Sequence, residues 1–288
     1  MTQIARAGVL GLGTMGSGIA QVCAQAGLEV VALDTDDGRV NTGLDRLKAF
    51  LDGGVRRGKT THEERDAALT RVHGTTDLGE LAGVDVVLEA VIEDLTTKQE
   101  LLTAVAGIVG PHTPLLTNTS ALSVTEVAAA VPEPSRVAGL HFFNPVPVMR
   151  LVEVIRALQT DDGTAAFAHD LAARLGKTAV EAKDRPGFLV NRLLMPYLND
   201  VLQAYDDGLA SARDIDVAIE LGLGHRVGPL ALLDLIGLDV HQHATRAAYE
   251  ATSDQRFAPP PLLSRMVVAG WLGRKTGRGL RVGIEEGE

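Results

Sequence analysis

The 288-residue sequence has a single cysteine, Cys23, and its apolar runs are broken by Asp, Glu or Gly before they reach membrane-spanning length. One thiol excludes an intrachain disulfide and fits a reducing compartment, and its position in the first helical segment reads as core rather than reactive. The start, MTQIARAGVLGLG, carries no cationic segment followed by a long apolar stretch and cleavage site; no secretory signal is expected, and the chain is assigned to the cytoplasm, off the membrane. An excess of basic residues is missing too. Against 27 Lys and Arg stand 37 Asp and Glu, a formal charge of −10, which argues against non-specific binding to nucleic acid and requires a local basic patch for any anionic ligand. Internal repeats and low-complexity tracts are absent. What is present, 45% hydrophobic and 22% charged residues, is an ordinary globular composition, and the length suits one large or two medium domains.

The first apolar run, Ile4 to Leu10, ends in glycines and leads into GLGTMGSGIAQVCAQAG, whose apolar spacing predicts a helix stopped at Gly27. LEVVALD follows as a second strand ending in Asp34. From about Asp37 to Arg71 the pattern is helical and charged, interrupted by GGVRRGKT, after which Thr61 and Glu64 stand as a capping box. This segment reads as a helical hairpin inserted in the α/β unit. VDVVLEAVIE is the next buried strand, KQELLTAVAGIV a helix, PLLTNTS another strand and loop, and Ser123 with Glu126 opens a further helix. Alternating strands and helices with apolar strands predict a parallel sheet covered on both faces. From Pro186 onward the periodicity is helical with no convincing strand, so two domains are expected: residues 1–185, α/β, and residues 186–288, all-helical.

Gly11, Gly13 and Gly16 match G-x-G-x-x-G between a strand and a helix, with Thr14 and Met15 inside the turn. The first glycine permits the tight turn, the second lets a pyrophosphate approach the backbone, and the third lets helix pack on strand, while the helix N-terminus favours an anion. Asp34, at the end of the second strand, can accept hydrogen bonds from an adenosine ribose and would repel a 2′-phosphate. A Rossmann-type site for NAD rather than NADP follows.

VAGLHFFNPVPVMRLVEVI places His141 and Glu153 within apolar strands. A charge inside such a strand is costly unless paired, and an imidazole is a suitable partner. A lone histidine would read as structural; a carboxylate twelve positions on, in an equally apolar strand, weakens that reading. His241 and His243 lie two apart on a helix and so do not share a face; no metal is expected.

These blocks, with LEAVIEDLTTKQEL, NTSALSVTEVA, DRPGFLVNRLL, GPLALLDLIGLD and AGWLGRKTGRG, resemble in order and spacing the 3-hydroxyacyl-CoA dehydrogenase family, especially its short bacterial 3-hydroxybutyryl-CoA members. The resemblance spans essentially the whole chain. It implies an N-terminal Rossmann domain, a helical C-terminal domain that commonly makes a homodimer, and a cleft between them. It further implies that His141 is the general acid/base paired with Glu153, that Ser120 and Asn191 hydrogen-bond the substrate, and that Glu93, Lys98 and Asn144 lie near the cofactor. In the family, lysines on the hairpin meet the phosphates of coenzyme A; here one such position is Gly53 and another Arg57, leaving Arg56, Arg57 and Lys59 as the local cations. Where relatives read GRGFY this chain reads GRGLRV. The reaction expected is oxidation of a short 3-hydroxyacyl-CoA, with an acyl group on a carrier protein, a free hydroxy acid, or NAD binding without catalysis as the alternatives.

Overall fold

The structure, a computed structural model, describes residues 4–283. The outermost ends of the two expected domains, residues 1–3 and 284–288, lie outside the described residues. The chain divides into two compact units, the first ending at Arg185 and the second beginning at Pro186.

In the first unit the elements run β1 (Arg6–Leu10), α1 (Thr14–Gln25), β2 (Glu29–Leu33), α2 (Asp37–Arg56), α3 (His62–Thr70), β3 (Val72–Thr75), β4 (Val86–Glu89), α4 (Leu95–Ala106), β5 (Leu115–Thr117), α5 (Val124–Ala129), β6 (Val137–Phe142), β7 (Leu151–Arg156), α6 (Asp162–Arg174) and β8 (Thr178–Lys183). Their sheet has the order β3-β2-β1-β4-β5-β6-β7-β8. The sheet is mixed, not parallel throughout as the apolar strands suggested: β6 and β7 pair antiparallel. The reason is the connection. Residues 143–150 contain no helix, and a short loop can reverse the chain but cannot carry it across the sheet for a parallel return.

Strand residues alternate between the two faces. Val9, Ala32, Leu88, Leu116, Leu140 and Val154 join a core with Ile19 and Cys23 of α1 and with Leu171 of α6. Cys23 is fully buried there, and burial pushes its thiol up to about 12, so it is a core residue without thiolate chemistry. The opposite face carries Glu89, Thr117, His141 and Glu153, under α4 and α5; a Cβ on Gly139 of this face would meet Val124 of α5 at 3.0 Å. The helical hairpin is formed by α2 and α3. Thr61 accepts the Glu64 N–H and the Glu64 carboxylate accepts the Thr61 N–H, a reciprocal cap worth about 1 kcal/mol, which marks where the helix starts without holding it in place.

The second unit contains α7 (Val190–Asp206), α8 (Ala212–Leu223), α9 (Pro229–Ile236), α10 (Leu238–Thr252) and α11 (Pro261–Val268). Its core gathers Leu198, Leu202, Leu230, Leu233, Leu263 and Leu280. Buried Asp234 accepts the N–H groups of Leu280, Arg281 and Val282 at 2.7–3.0 Å, which folds the GRGLRV segment onto α9. Arg281, the residue where this segment departs most from its relatives, pairs with Asp216 at 3.1 Å.

A polar network crosses this core. Nε2 of His241 lies 3.0 Å from Oδ1 of Asn199, whose amide donates to the Thr245 hydroxyl and to the Arg256 carbonyl. Burial pushes the imidazole down to about 4; His241 is a neutral core group. The unfolded chain therefore takes up a proton near pH 6.5 that the folded chain refuses until about pH 4. Stability is fully present above pH 6.5 and falls by about 3 kcal/mol as the pH drops through that window. Thermal unfolding followed by circular dichroism from pH 7 to pH 4.5 will give a shallower decline in His241→Gln than in the parent protein.

Candidate active site

The glycine turn is built by exclusion of side chains. Gly11 has φ +85°, and a Cβ there would lie 2.8 Å from the Ala90 carbonyl; one on Gly16 would lie 1.7 Å from the Gly11 carbonyl. Gly13 is different: its Cβ position faces open space. It is also the N-cap of α1 with no side chain capping the helix, so the first N–H groups remain for an anion. Thr14 is exposed beside it, whereas the Met15 side chain packs against the core and leaves only its backbone to a ligand. Asp34 follows the end of β2. Its Oδ2 accepts the Leu12 N–H at 2.7 Å and its Oδ1 the Thr35 N–H at 2.8 Å. From the other side Arg46 of α2 donates to the Leu12 carbonyl at 3.1 Å. An open glycine, an uncapped helix start and a carboxylate at the end of β2 together fit a dinucleotide with a free ribose 2′-hydroxyl.

The β6–β7 register sets His141 directly opposite Glu153. Nδ1 of His141 is 2.7 Å from Oε2 of Glu153, whose side chain is 0% exposed. An ionised carboxylate only accepts, so Nδ1 is the donor and in the neutral ring Nε2 carries the lone pair. The bond also fixes the ring plane, and the Phe143 ring packs 4.7 Å from the imidazole centroid to centroid. Such a pair can take up and return a proton at Nε2, with the carboxylate stabilising the imidazolium that forms.

Ser120 sits after β5 on a loop held by carboxylates. Oε1 of Glu93 accepts the Thr119 hydroxyl at 2.6 Å, the Ser120 N–H at 2.7 Å, the Ala121 N–H at 2.9 Å and the Ser120 hydroxyl at 3.3 Å. Burial would raise the Glu93 carboxyl, but the Thr119 hydroxyl, the Lys98 ammonium and the backbone N–H groups of Ser120 and Ala121 outweigh it and hold the acid below its usual range. Lys98 is not the solvated helix lysine that its position in α4 suggests. It is 1% exposed, with Nζ 2.7 Å from Glu89 and 3.4 Å from Glu93. Asn118 ties this loop to the histidine strand, its Oδ1 accepting the Phe142 N–H at 2.8 Å.

Glu89 and Asn118 are residues the sequence reading passed over. Glu89 had one available signal, a charge closing an apolar strand, the same signal that singles out Glu153; Asn118 had none beyond its place in the loop.

Asn144 is exposed in the β6–β7 connection and lines a cavity of about 120 Å³ with Thr14, Gly18, Arg46 and Phe50, so it shares a wall with the start of α1. Lys177 braces that connection, donating to the Val146 and Met149 carbonyls at 2.6 and 2.9 Å. Arg56 and Arg57 end α2, both exposed, and their guanidinium groups lie 3.6 and 3.1 Å from where a Gly53 Cβ would be. Asn191, half-buried, stands in the first turn of α7 in the second unit.

Comparison with known proteins gives the same architecture. Residues 6–185 match the 3-hydroxyacyl-CoA dehydrogenase NAD binding domain and residues 187–282 the C-terminal domain of that family. A 3-hydroxybutyryl-CoA dehydrogenase of Mycobacterium tuberculosis is 45% identical over 278 residues, covering 96% of this chain and 97% of its own. A probable 3-hydroxybutyryl-CoA dehydrogenase of Bacillus subtilis is 44% identical, covering 94% of each. The crystal structure of (S)-3-hydroxybutyryl-CoA dehydrogenase from Ralstonia eutropha superposes with a TM-score of 0.94 at 43% identity, over 98% of this chain and 100% of the other. With both units matched along nearly their full length, the chain belongs to the 3-hydroxyacyl-CoA dehydrogenase family, NAD-binding oxidoreductases.

Proposed function

We propose that this protein is an NAD-dependent (S)-3-hydroxybutyryl-CoA dehydrogenase, in which His141 is the general acid/base. The observation that carries the reading is the 2.7 Å bond between His141 and a fully buried Glu153. An acid without water around it holds its partner in one tautomer, and that is what proton transfer at Nε2 requires. Bound NAD supplies the acceptor for the hydride that leaves the carbinol carbon. Nε2 of His141 takes the hydroxyl proton in the oxidative direction and returns it to the ketone oxygen in the reverse. Ser120 and Asn191 donate hydrogen bonds to the substrate oxygen, where charge develops. Glu93 orients the Ser120 loop, and Gly11, Gly13, Thr14, Met15, Gly16, Asp34 and Asn144 line the cofactor's path. Lys98 acts on the cofactor side through Glu93.

Arg56 and Arg57, with Lys59, are assigned to the phosphates of coenzyme A; guanidinium groups bind phosphate as well as ammonium does and in a fixed fork. Exposed apolar side chains on the second unit, among them Leu193, Leu221, Leu223 and Val268, support a homodimer through helical faces. Among the described residues no helix is long and apolar enough to cross a membrane, and the cytoplasm is the compartment we assign.

Replacement of His141 by Ala lowers kcat about 10³-fold and Glu153→Gln about 10²-fold, with NADH affinity within about threefold in both; stopped-flow NADH binding and steady-state turnover check this, and a rate near the parent's removes the role. His141→Ala also takes the imidazole away from the buried Glu153 carboxylate and lowers stability by about 3 kcal/mol, read from urea unfolding. With acetoacetyl-CoA, carrier-bound acetoacetyl and free acetoacetate offered in turn, NADH is oxidised with the first; turnover confined to the carrier-bound group would transfer the activity to that substrate. Arg56→Ala/Arg57→Ala raises KM for acetoacetyl-CoA about tenfold and leaves KM for a short N-acetylcysteamine thioester, which has no phosphates, unchanged.

A further inference from the structure

Glu89 ends β4 with no exposed surface, yet proton transfer, cofactor binding and substrate binding as described above make no use of it. It nonetheless accepts three hydrogen bonds. Oε1 accepts the Lys98 ammonium at 2.7 Å and the Val91 N–H at 2.7 Å, and Oε2 accepts the Thr117 hydroxyl at 2.6 Å. The same ammonium lies 3.4 Å from Oε2 of Glu93, whose other oxygen collects the donors of Thr119, Ser120 and Ala121. Two carboxylates therefore grip one short segment, Glu89 at its entry and Glu93 around the serine, and Lys98 cross-links them.

A buried ion pair is an expensive way to fill a sheet face; apolar side chains of similar volume do it at least as well. What the ions add is geometry. With Glu89 in place the ammonium is held close to Glu89 and at longer range from Glu93, so the Glu93 carboxylate stays turned toward the loop. Without that charge the ammonium moves onto Glu93, its remaining anionic partner among the described residues, and competes with the Ser120 and Ala121 N–H groups. At the same time the Thr117 hydroxyl loses its acceptor, freeing the entry to the loop. We propose that Glu89 is a positioning residue for Ser120: through Lys98 and Thr117 it fixes the loop that presents the serine hydroxyl to the reacting oxygen. This rests on the reading of Ser120 given above.

The test is a double-mutant cycle on acetoacetyl-CoA reduction. Glu89→Gln, which keeps the shape and removes the charge, lowers kcat at least about tenfold, as misplacement of a reacting group does. In a Ser120→Ala background the same change lowers kcat no further, because a residue acting through the serine has nothing left to position. Equal losses in both backgrounds, or a kcat unchanged by Glu89→Gln, overturn the proposal and leave the role of Ser120 standing. A Ser120→Ala enzyme with full kcat overturns the role of Ser120 and the proposal with it. Should Glu89→Gln fail to fold, Thr117→Val, which leaves both ions in place, goes through the same cycle; its kcat falls about threefold in the parent and not at all in Ser120→Ala, and any other pattern overturns the proposal.

Discussion

The antiparallel pairing of β6 with β7 is the constraint on which the site depends. It makes residues 141 and 153 cross-strand neighbours on one face of a sheet that excludes water. In that setting neither group is tolerable alone. A buried carboxylate without a partner loses its hydration and gains nothing in return, and an imidazole without an acceptor is free to change tautomer and rotate. Paired, they turn a cost of burial into a fixed proton acceptor. The register does this without help from flexible segments, since both residues stand inside strands whose neighbours, Leu140, Phe142, Val152 and Val154, are locked in the core on the other face.

Carboxylates recur as clamps on backbone throughout the first unit. Asp34 holds the glycine turn, Glu93 and Glu89 hold the serine loop, and Asp184 accepts the Ser123 hydroxyl and the N–H groups of Val124 and Thr125 where α5 begins. Each clamp sits where the chain leaves regular structure and backbone N–H groups lack ladder partners. An acceptor-only side chain meets that need and, unlike water, does so with a fixed direction. The acidic balance of the chain is thus partly spent inside, and its formal charge of −10 is not all surface.

Much of this was legible in the sequence, for local reasons. The glycine turn, the Thr61–Glu64 cap and the break at Pro186 are written in a few adjacent residues whose types have narrow conformational uses. Glu153 stood out because a charge in LVEVI has few stable explanations. Strand direction did not show, because an apolar run reads the same whichever way the strand is laid; only the lack of a crossover helix between residues 142 and 151 carried that information. β3 is four residues with one buried, too short for a period to register. The burial of Lys98 did not show either, since it depends on Glu89 and Glu93, nine and five positions before it and outside its own helix. Tertiary pairing of that kind leaves no trace in spacing. The pairing of Arg281 with Asp216 is hidden in the same way.

Leu12 is a final case in which chemistry and side-chain identity part company. Its N–H goes to Asp34 and its C=O to Arg46, and α2 can lie against it only because residue 43 is a glycine, where a Cβ would come 2.5 Å from the Leu12 Cβ. What its neighbours recognise is a peptide group. Position 12 therefore admits other apolar side chains that fill its buried place in the core, whereas position 43 admits no side chain at all: the silent glycine on the helix is the stricter requirement of the two.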